Sequence, residues 1–270
     1  MKQLEVLRDL AALHPMDIVP TFMGAHDVPP EYRDRREEYI RLLVDTLIPE
    51  VSKRGLAEFF DIFCEPGVFS LEETRRLVQA AKAAGFKIKV HADEFVTQGG
   101  AELAAEVGAA SAEHLIAVSE EGIARLAASD TAAILLPGVS FFLMMDKRAP
   151  ARRLIDAGAV VALATDFNPG SSNLSAMPFV LQLGVFTLGM TVEEAINACT
   201  GNAAYAVGRH GTVGSLEPGK KMDLLLCDIP DHVSLAYDAG RNPVRTVIKN
   251  GRVVVADGRM VGERVVAERL

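Results

Sequence analysis

The chain has 270 residues, 49% hydrophobic and 24% charged, with a formal net charge of −8. Such a composition excludes a disordered chain, and the acidic balance gives no support to a nucleic-acid or anionic-membrane partner. No apolar run reaches the roughly 18 residues of a membrane span, and the first residues, MKQLEVLRDLAALHP, lack the apolar core and cleavage site of a secretory signal. Cys64, Cys199 and Cys227 are odd in number and far apart, which fits no disulfide framework and makes a reducing cytoplasm the expected compartment.

The N-terminal segment predicts a short amphipathic helix, with Leu4, Leu7, Leu10 and Leu13 on one side. Apolar, β-rich runs then predict strands over 17–24, 59–64, 86–90, 110–114, 132–136 and 160–164. Helical patterns fill the intervals at 37–55, 71–84, 99–107, 119–129 and 150–157. Ser70 followed by Glu73 spells a capping box for the second of these, and Gly85 ends it. Strand–helix alternation with nearly continuous apolar strands predicts a parallel sheet covered on its faces.

Six strand–helix units are countable, whereas a closed parallel barrel needs eight strands. The pattern then changes to short strands at 223–227, 244–249 and 252–255, the last pair joined by Asn250-Gly251, a hairpin signal. The expected fold is α/β: an incomplete (β/α)8 barrel over 1–208, followed at 209–270 by part of a small β-sandwich domain.

In parallel α/β folds the reactive groups stand where strands end. PTFMGAH puts His26 after the first strand, and KIKVHADEF puts His91 at the end of the third with Glu94 just beyond. SAEHL puts His114 at the end of the fourth, and ALATDFNPGSS puts Asp166 after the sixth. His14, His210 and His232 have no such position. A lone strand-end His is usually a satisfied polar side chain, and an Asp before Asn-Pro-Gly is usually a turn former. The coincidence of four such residues is what favours chemistry. Imidazole and carboxylate suit zinc or iron, and a metal-activated water beside a carboxylate base hydrolyses amide-like bonds.

These strand-end residues, with the tail GTVGSLEPGKKMDLLLCD and VIKNGRVV, resemble the amidohydrolase superfamily, although Met222 stands where Ala is common. Within it, DIVPTFMGAHDVPPEY, KVHADEF, SAEHL and ATDFNPGSS resemble the imidazolonepropionases over essentially the whole chain. The resemblance implies that His91 and Asp166 ligate a metal, Zn2+ or Fe2+/Fe3+, and that Asp166 also handles protons. It implies that Glu94 contacts the imidazolone ring and assists proton transfer, while His114 polarises the ring carbonyl. His26, Asn168, Gly170 and Ser171 would contact substrate or product. The implied reaction opens the ring of 4-imidazolone-5-propanoate to N-formimidoyl-L-glutamate. The implied partner is that small molecule, and a homodimer is the assembly considered for the full-length form.

One departure stands out: the superfamily's His-x-His pair at the end of barrel strand one is absent from the sequence. The visible units would then be strands three to eight, with Met1 an internal or mis-assigned start. His91 and Asp166 alone would hold metal weakly, so the chain as written is expected to be inactive and, with two open sheet edges, prone to associate. Two other readings stay open: another cyclic amidohydrolase or deaminase, and a non-catalytic scaffold that lost the metal pair.

Overall fold

Leucines at every third position give the expected first helix, α1 (Lys2–Leu13), in which Leu4 is buried. The first strand, β1 (Thr21–Ala25), starts four residues later than the apolar run predicts. Pro20 is the reason. It has no amide hydrogen to give a ladder, and its carbonyl instead accepts from the Glu58 amide at 3.0 Å. This is a computed structural model in which residues 1–261 are described.

Two compact units emerge. The first comprises Met1–Arg8, Val19–Leu135 and Arg153–Val161; the second comprises Asp9–Ile18, Leu136–Arg152 and the chain from Ala162 onward.

In the first unit, the helix expected over 37–55 is three segments. α2 (Arg36–Leu42) passes into a π-helical turn, Leu43–Leu47, before α3 (Ile48–Lys53). Pro49 explains the break: its ring would clash with the carbonyl four residues back, that of Asp45, and a wider turn relieves the clash. Next come β2 (Phe59–Cys64), α4 (Leu71–Ala83), β3 (Lys87–Ala92) and α5 (Gly100–Glu106). β4 (Ser111–His114), α6 (Glu120–Ala127) and β5 (Ala132–Leu135) complete the series.

The capping box of α4 is present, with Ser70 and Glu73 each holding the other's amide. β1 to β5 lie side by side in chain order and pair in parallel. β2 to β5 are buried on both faces almost throughout, as a sheet covered by helices requires. Phe59, Phe60, Ile62, Phe69 and Leu77 are among its fully enclosed side chains.

The chain continues through α7 (Pro137–Phe142) and α8 (Ala151–Asp156) to β6 (Val161–Leu163), the sixth strand in the order β1-β2-β3-β4-β5-β6. The second unit then builds α9 (Met177–Leu188), α10 (Val192–Cys199) and α11 (Gly201–Ala206). Its antiparallel sheet contains β7 (Leu224–Cys227), β8 (Val244–Lys249), β9 (Arg252–Ala256) and β10 (Arg259–Met260), with α12 (Ser234–Tyr237) between β7 and β8. The order is β10-β9-β8-β7. The expected Asn250-Gly251 hairpin joins β8 to β9, both turn residues having positive φ. Among the described residues no helix is long and apolar enough to cross a membrane.

Candidate active site

The parallel register of the first unit brings polar groups from successive strands together. Phe63 of β2 pairs with His91 of β3, and Asp61, two residues before Phe63, therefore shares the face of His91. Asp61 Oδ1 lies 2.7 Å from His91 Nδ1, and both residues are buried. His26, just past β1, stacks on Phe63 with ring centroids 5.3 Å apart and meets the His91 ring edge-on at 4.8 Å. On the other side His91 lies 5.1 Å from the His114 ring. His114 Nε2 is 3.5 Å from Glu94 Oε2. His26, His91, Glu94 and His114, expected from their strand-end positions, thus lie in one cluster.

Two buried carboxylates hold the loop that carries Glu94. Glu65 accepts from the amides of Glu94 (3.1 Å), Phe95 (3.3 Å) and Val96 (2.7 Å). Asp93 accepts from Gln98, Gly99, Gly100 and Ala101, which fixes the start of α5. Asp93, His114 and Leu115 all have left-handed backbones, with φ of 50°, 72° and 59°. Such conformations persist in L-residues only where surrounding bonds over-determine them, and they cluster at working sites. Here the Leu115 amide bonds the Ala92 carbonyl and the Ala117 amide bonds that of Asp93, tying the end of β4 to β3 and its loop.

Burial decides the charge states. It holds the His114 imidazole well below its ordinary pKa, reinforced by the nearby His91 and His26 rings. Burial likewise lowers the His26 pKa. A neutral imidazole keeps a lone pair for a metal or a substrate hydrogen. Farther down the same strands Lys89 Nζ meets Ser111 Oγ at 2.7 Å and Glu113 Oε1 at 3.4 Å. Burial raises the Glu113 carboxyl pKa, and the Lys89 ammonium opposes that rise.

Ligand atoms of His26, Asp61 and His91 all lie within 4.8 Å of one another. Nitrogen and oxygen donors of this kind suit zinc or iron, so the residues present fit a metal of that class. Sequence reasoning missed Asp61, Glu65, Lys89 and Glu113. Their signal was a charged residue inside or at the edge of an apolar strand, as in FFDIFCE, where a solvent-facing reading would need a polar neighbour two residues away.

In the second unit Asp166 also has a left-handed backbone, φ 48°. Asn168 Nδ2 donates to the Asp166 carbonyl (2.8 Å) and to Ser171 Oγ (3.0 Å). Asn168 Oδ1 accepts from the Gly170 and Ser171 amides, both at 2.8 Å. The Asn168 side chain is thus the internal brace of this turn. The other histidines have local roles: His14 Nδ1 accepts from the Met16 amide, His210 packs on Tyr205, and His232 meets Glu193 at 2.8 Å.

A parallel α/β sheet with buried His, Asp and Glu at its strand ends defines a class, and the sequence agrees with it. The chain belongs to the amidohydrolase family, whose model matches residues 24–254. It is 55% identical to the imidazolonepropionase of Geobacillus kaustophilus over 96% of its own length and 61% of that protein's. It is 51% identical to the imidazolonepropionase of Symbiobacterium thermophilum, again over 96% and 61%. The chain thus spans about three-fifths of the length of these curated relatives. Among solved structures it resembles an adenosine deaminase from Xanthomonas campestris with bound zinc, at TM-score 0.76 and 19% identity, covering 98% of this chain and 66% of the other. It also resembles N-isopropylammelide isopropylaminohydrolase from Burkholderia multivorans, at TM-score 0.73 and 19% identity, over 95% and 67%. At those identities the likeness is one of fold.

Proposed function

We propose that this chain serves the metal-dependent hydrolytic opening of 4-imidazolone-5-propanoate to N-formimidoyl-L-glutamate, a step of histidine degradation in the cytoplasm. The observation that carries the reading is the identity of about half, sustained along 96% of the chain, to proteins named imidazolonepropionase. The buried cluster of His26, His91, Glu94 and His114 supports it, because the chemistry needs those groups. The fold likenesses support assigning the six parallel strands to positions three to eight of a (β/α)8 barrel, and the β7–β10 sheet to a small sandwich domain.

When bound, Zn2+ or iron would act as a Lewis acid and lower the pKa of water. His91 is a ligand in this reading, and Asp166 is assigned a ligand and proton-handling role by resemblance. Glu94 takes the proton of the attacking water as oxygen adds to the lactam carbonyl carbon. It returns that proton to the ring nitrogen as the C–N bond breaks, leaving a formimidoyl group and a carboxylic acid that ionises to the carboxylate by releasing the second water proton. Glu94 is placed for both transfers by Glu65, which fixes its backbone. His114, kept neutral by burial, can donate a hydrogen bond to the carbonyl oxygen without repelling the metal. His26 offers an imidazole to the substrate side, and the turn braced by Asn168 presents Gly170 and Ser171 to the substrate or product.

The test uses a chimera of this chain with the part of the Geobacillus kaustophilus relative that it does not match. Loaded with metal, it should consume 4-imidazolone-5-propanoate, followed by ultraviolet absorbance. Glu94→Gln should lower kcat by roughly 10²–10⁴-fold, the usual worth of a positioned proton-transfer group. A folded, metal-loaded chimera with no turnover overturns the reading.

A further inference from the structure

We propose that Gly24 and Tyr39 are positioning residues for His26: together they hold a β-bulge in β1 that turns the imidazole into the cluster. The consequence for substrate rests on the ring-opening reading, whereas the placement of the ring does not. All the residues involved belong to the first unit.

Register is the first argument. Thr21 and Phe22 of β1 pair with Phe59 and Phe60 of β2, but Ala25 pairs with Ile62, so three steps along β1 match two along β2. Side chains alternate between the faces of a strand. An unbroken ladder would set Ala25 opposite Phe63 and His26 opposite Cys64, on the face that carries Phe60 and Ile62. His26 would then point away from His91. The extra residue reverses that phase. His26 comes opposite Phe63 instead, and the two rings stack with centroids 5.3 Å apart. The His26 amide bonds back to the Met23 carbonyl at 3.3 Å, closing the bulge.

The second argument is space. A Cβ at Gly24 would stand 2.5 and 2.7 Å from ring atoms of Phe22 and 3.1 Å from a methyl of Leu43. Gly24 therefore faces the same side as Phe22, and so does its neighbour Ala25, whose partner Ile62 shares the face of Phe60. Two consecutive residues on one side are what a bulge produces. Phe22, Ala25 and Leu43 are all buried, and a residue without a side chain is what fits among them.

The third argument is the carbonyl. A bulge takes its extra residue out of the ladder, and a buried carbonyl needs a donor. Tyr39, buried in α2, donates its hydroxyl to the Gly24 carbonyl at 2.6 Å. Burial raises the Tyr39 phenol pKa, so the hydroxyl keeps the proton it donates. The helix thereby pins the strand two residues before His26.

Two readouts test this. In the 270-residue chain, the nuclear Overhauser contact between the His26 and Phe63 rings reports the phase of β1, with melting by circular dichroism as the folding control. It should be strong in the wild type and weakened or lost in Gly24→Ala and Tyr39→Phe. It should return in Gly24→Ala/Phe22→Leu, where a smaller side chain makes room. In the chimera with the Geobacillus kaustophilus relative, Tyr39→Phe should raise KM about fivefold with kcat little changed, the worth of one hydrogen bond. His26→Ala should raise KM at least as much, and adding Tyr39→Phe to it should change nothing further, because Tyr39 acts through His26. A merely structural Tyr39 would lower the melting temperature and leave both readouts alone. A ring contact of wild-type strength in folded Gly24→Ala and Tyr39→Phe overturns the proposal. So does its absence from the wild type, or an equal effect of Tyr39→Phe on KM in the absence of His26. Should Gly24→Ala fail to fold, Tyr39→Phe decides the matter alone. The ring contact is read without substrate, so a chimera without turnover overturns the ring-opening reading and leaves this one to the spectra.

Discussion

The two units treat charge in opposite ways. Among the described residues, every buried Asp, Glu, Lys and His lies in the first unit: Asp61, Glu65, Lys89, His91, Asp93, Glu94, Glu113 and His114. The buried polar side chains of the second unit are the uncharged Ser140, Ser172 and Gln182. Several of its ion pairs sit at the surface, as with Arg245 and Asp257, whose side chains are 62% and 72% exposed. Burying an ion costs more than its pairing usually returns, so a fold that does so repeatedly along and just beyond neighbouring strands is serving something other than stability. Gln182 shows the alternative. It binds the carbonyls of Leu235 and Asp238 and the amide of Gly240 with an uncharged amide group, bracing the second unit with no ion at all.

Removing the ionic brace and the neutral one should give the largest difference between the units. Glu65→Ala leaves three amides without their acceptor and should cost about 3 kcal/mol or more. Gln182→Ala should cost about 1–2 kcal/mol. Urea denaturation of the two variants measures this, and an equal or reversed order would break the comparison.

A smaller effect should come from the half-buried pair Arg36–Glu73. Two bonds from the Arg36 guanidinium, at 2.5 and 2.8 Å, hold the Glu73 carboxyl below its ordinary pKa of 4.5. A lowered folded pKa contributes stability that is present above 4.5 and lost as pH falls through the folded value. The gap in Tm between wild type and Glu73→Gln should therefore narrow steadily as pH falls below 4.5. A gap that stays constant would show that Glu73 acts only as a cap. Smallest of all, Arg245→Ala should leave Tm unchanged within error, as an exposed pair predicts. A clear drop would mean that surface ions also support the second unit.

Much of the first unit was legible in the sequence. FFDIFC is a strand with the expected bounds, and Ser70 with Glu73 marks the start of α4 as capping chemistry predicts. His26, His91, Glu94 and His114 were visible because a parallel sheet directs its strand ends to one side. Asp61 was not, because it sits mid-strand, where its meaning depends on a register with β3 that only pairing supplies. Glu65 was missed for a related reason, since its work is done on the backbone of residues far along the chain. The late start of β1 follows from the missing amide of Pro20, a local cause that an apolar-run argument overlooks. In the second unit α9, MPFVLQLGVFTL, lacks the polar stripe by which amphipathic helices are recognised.

The π turn at Leu43–Leu47 has a consequence for insertions and deletions. The buried side chains of the segment are Tyr39, Ile40, Leu43, Ile48 and Val51. From Leu43 to Ile48 the step is one residue longer than an α-helical turn allows, and the wide turn absorbs that extra residue. Downstream anchors thus keep their phase although the reading frame of the helix has slipped by one. An added residue elsewhere in α2 or α3 would rotate every later side chain by about 100° off the core. Between Leu43 and Ile48 the helix already carries such a slip, and that is where its length is free to vary without changing which residues face the sheet.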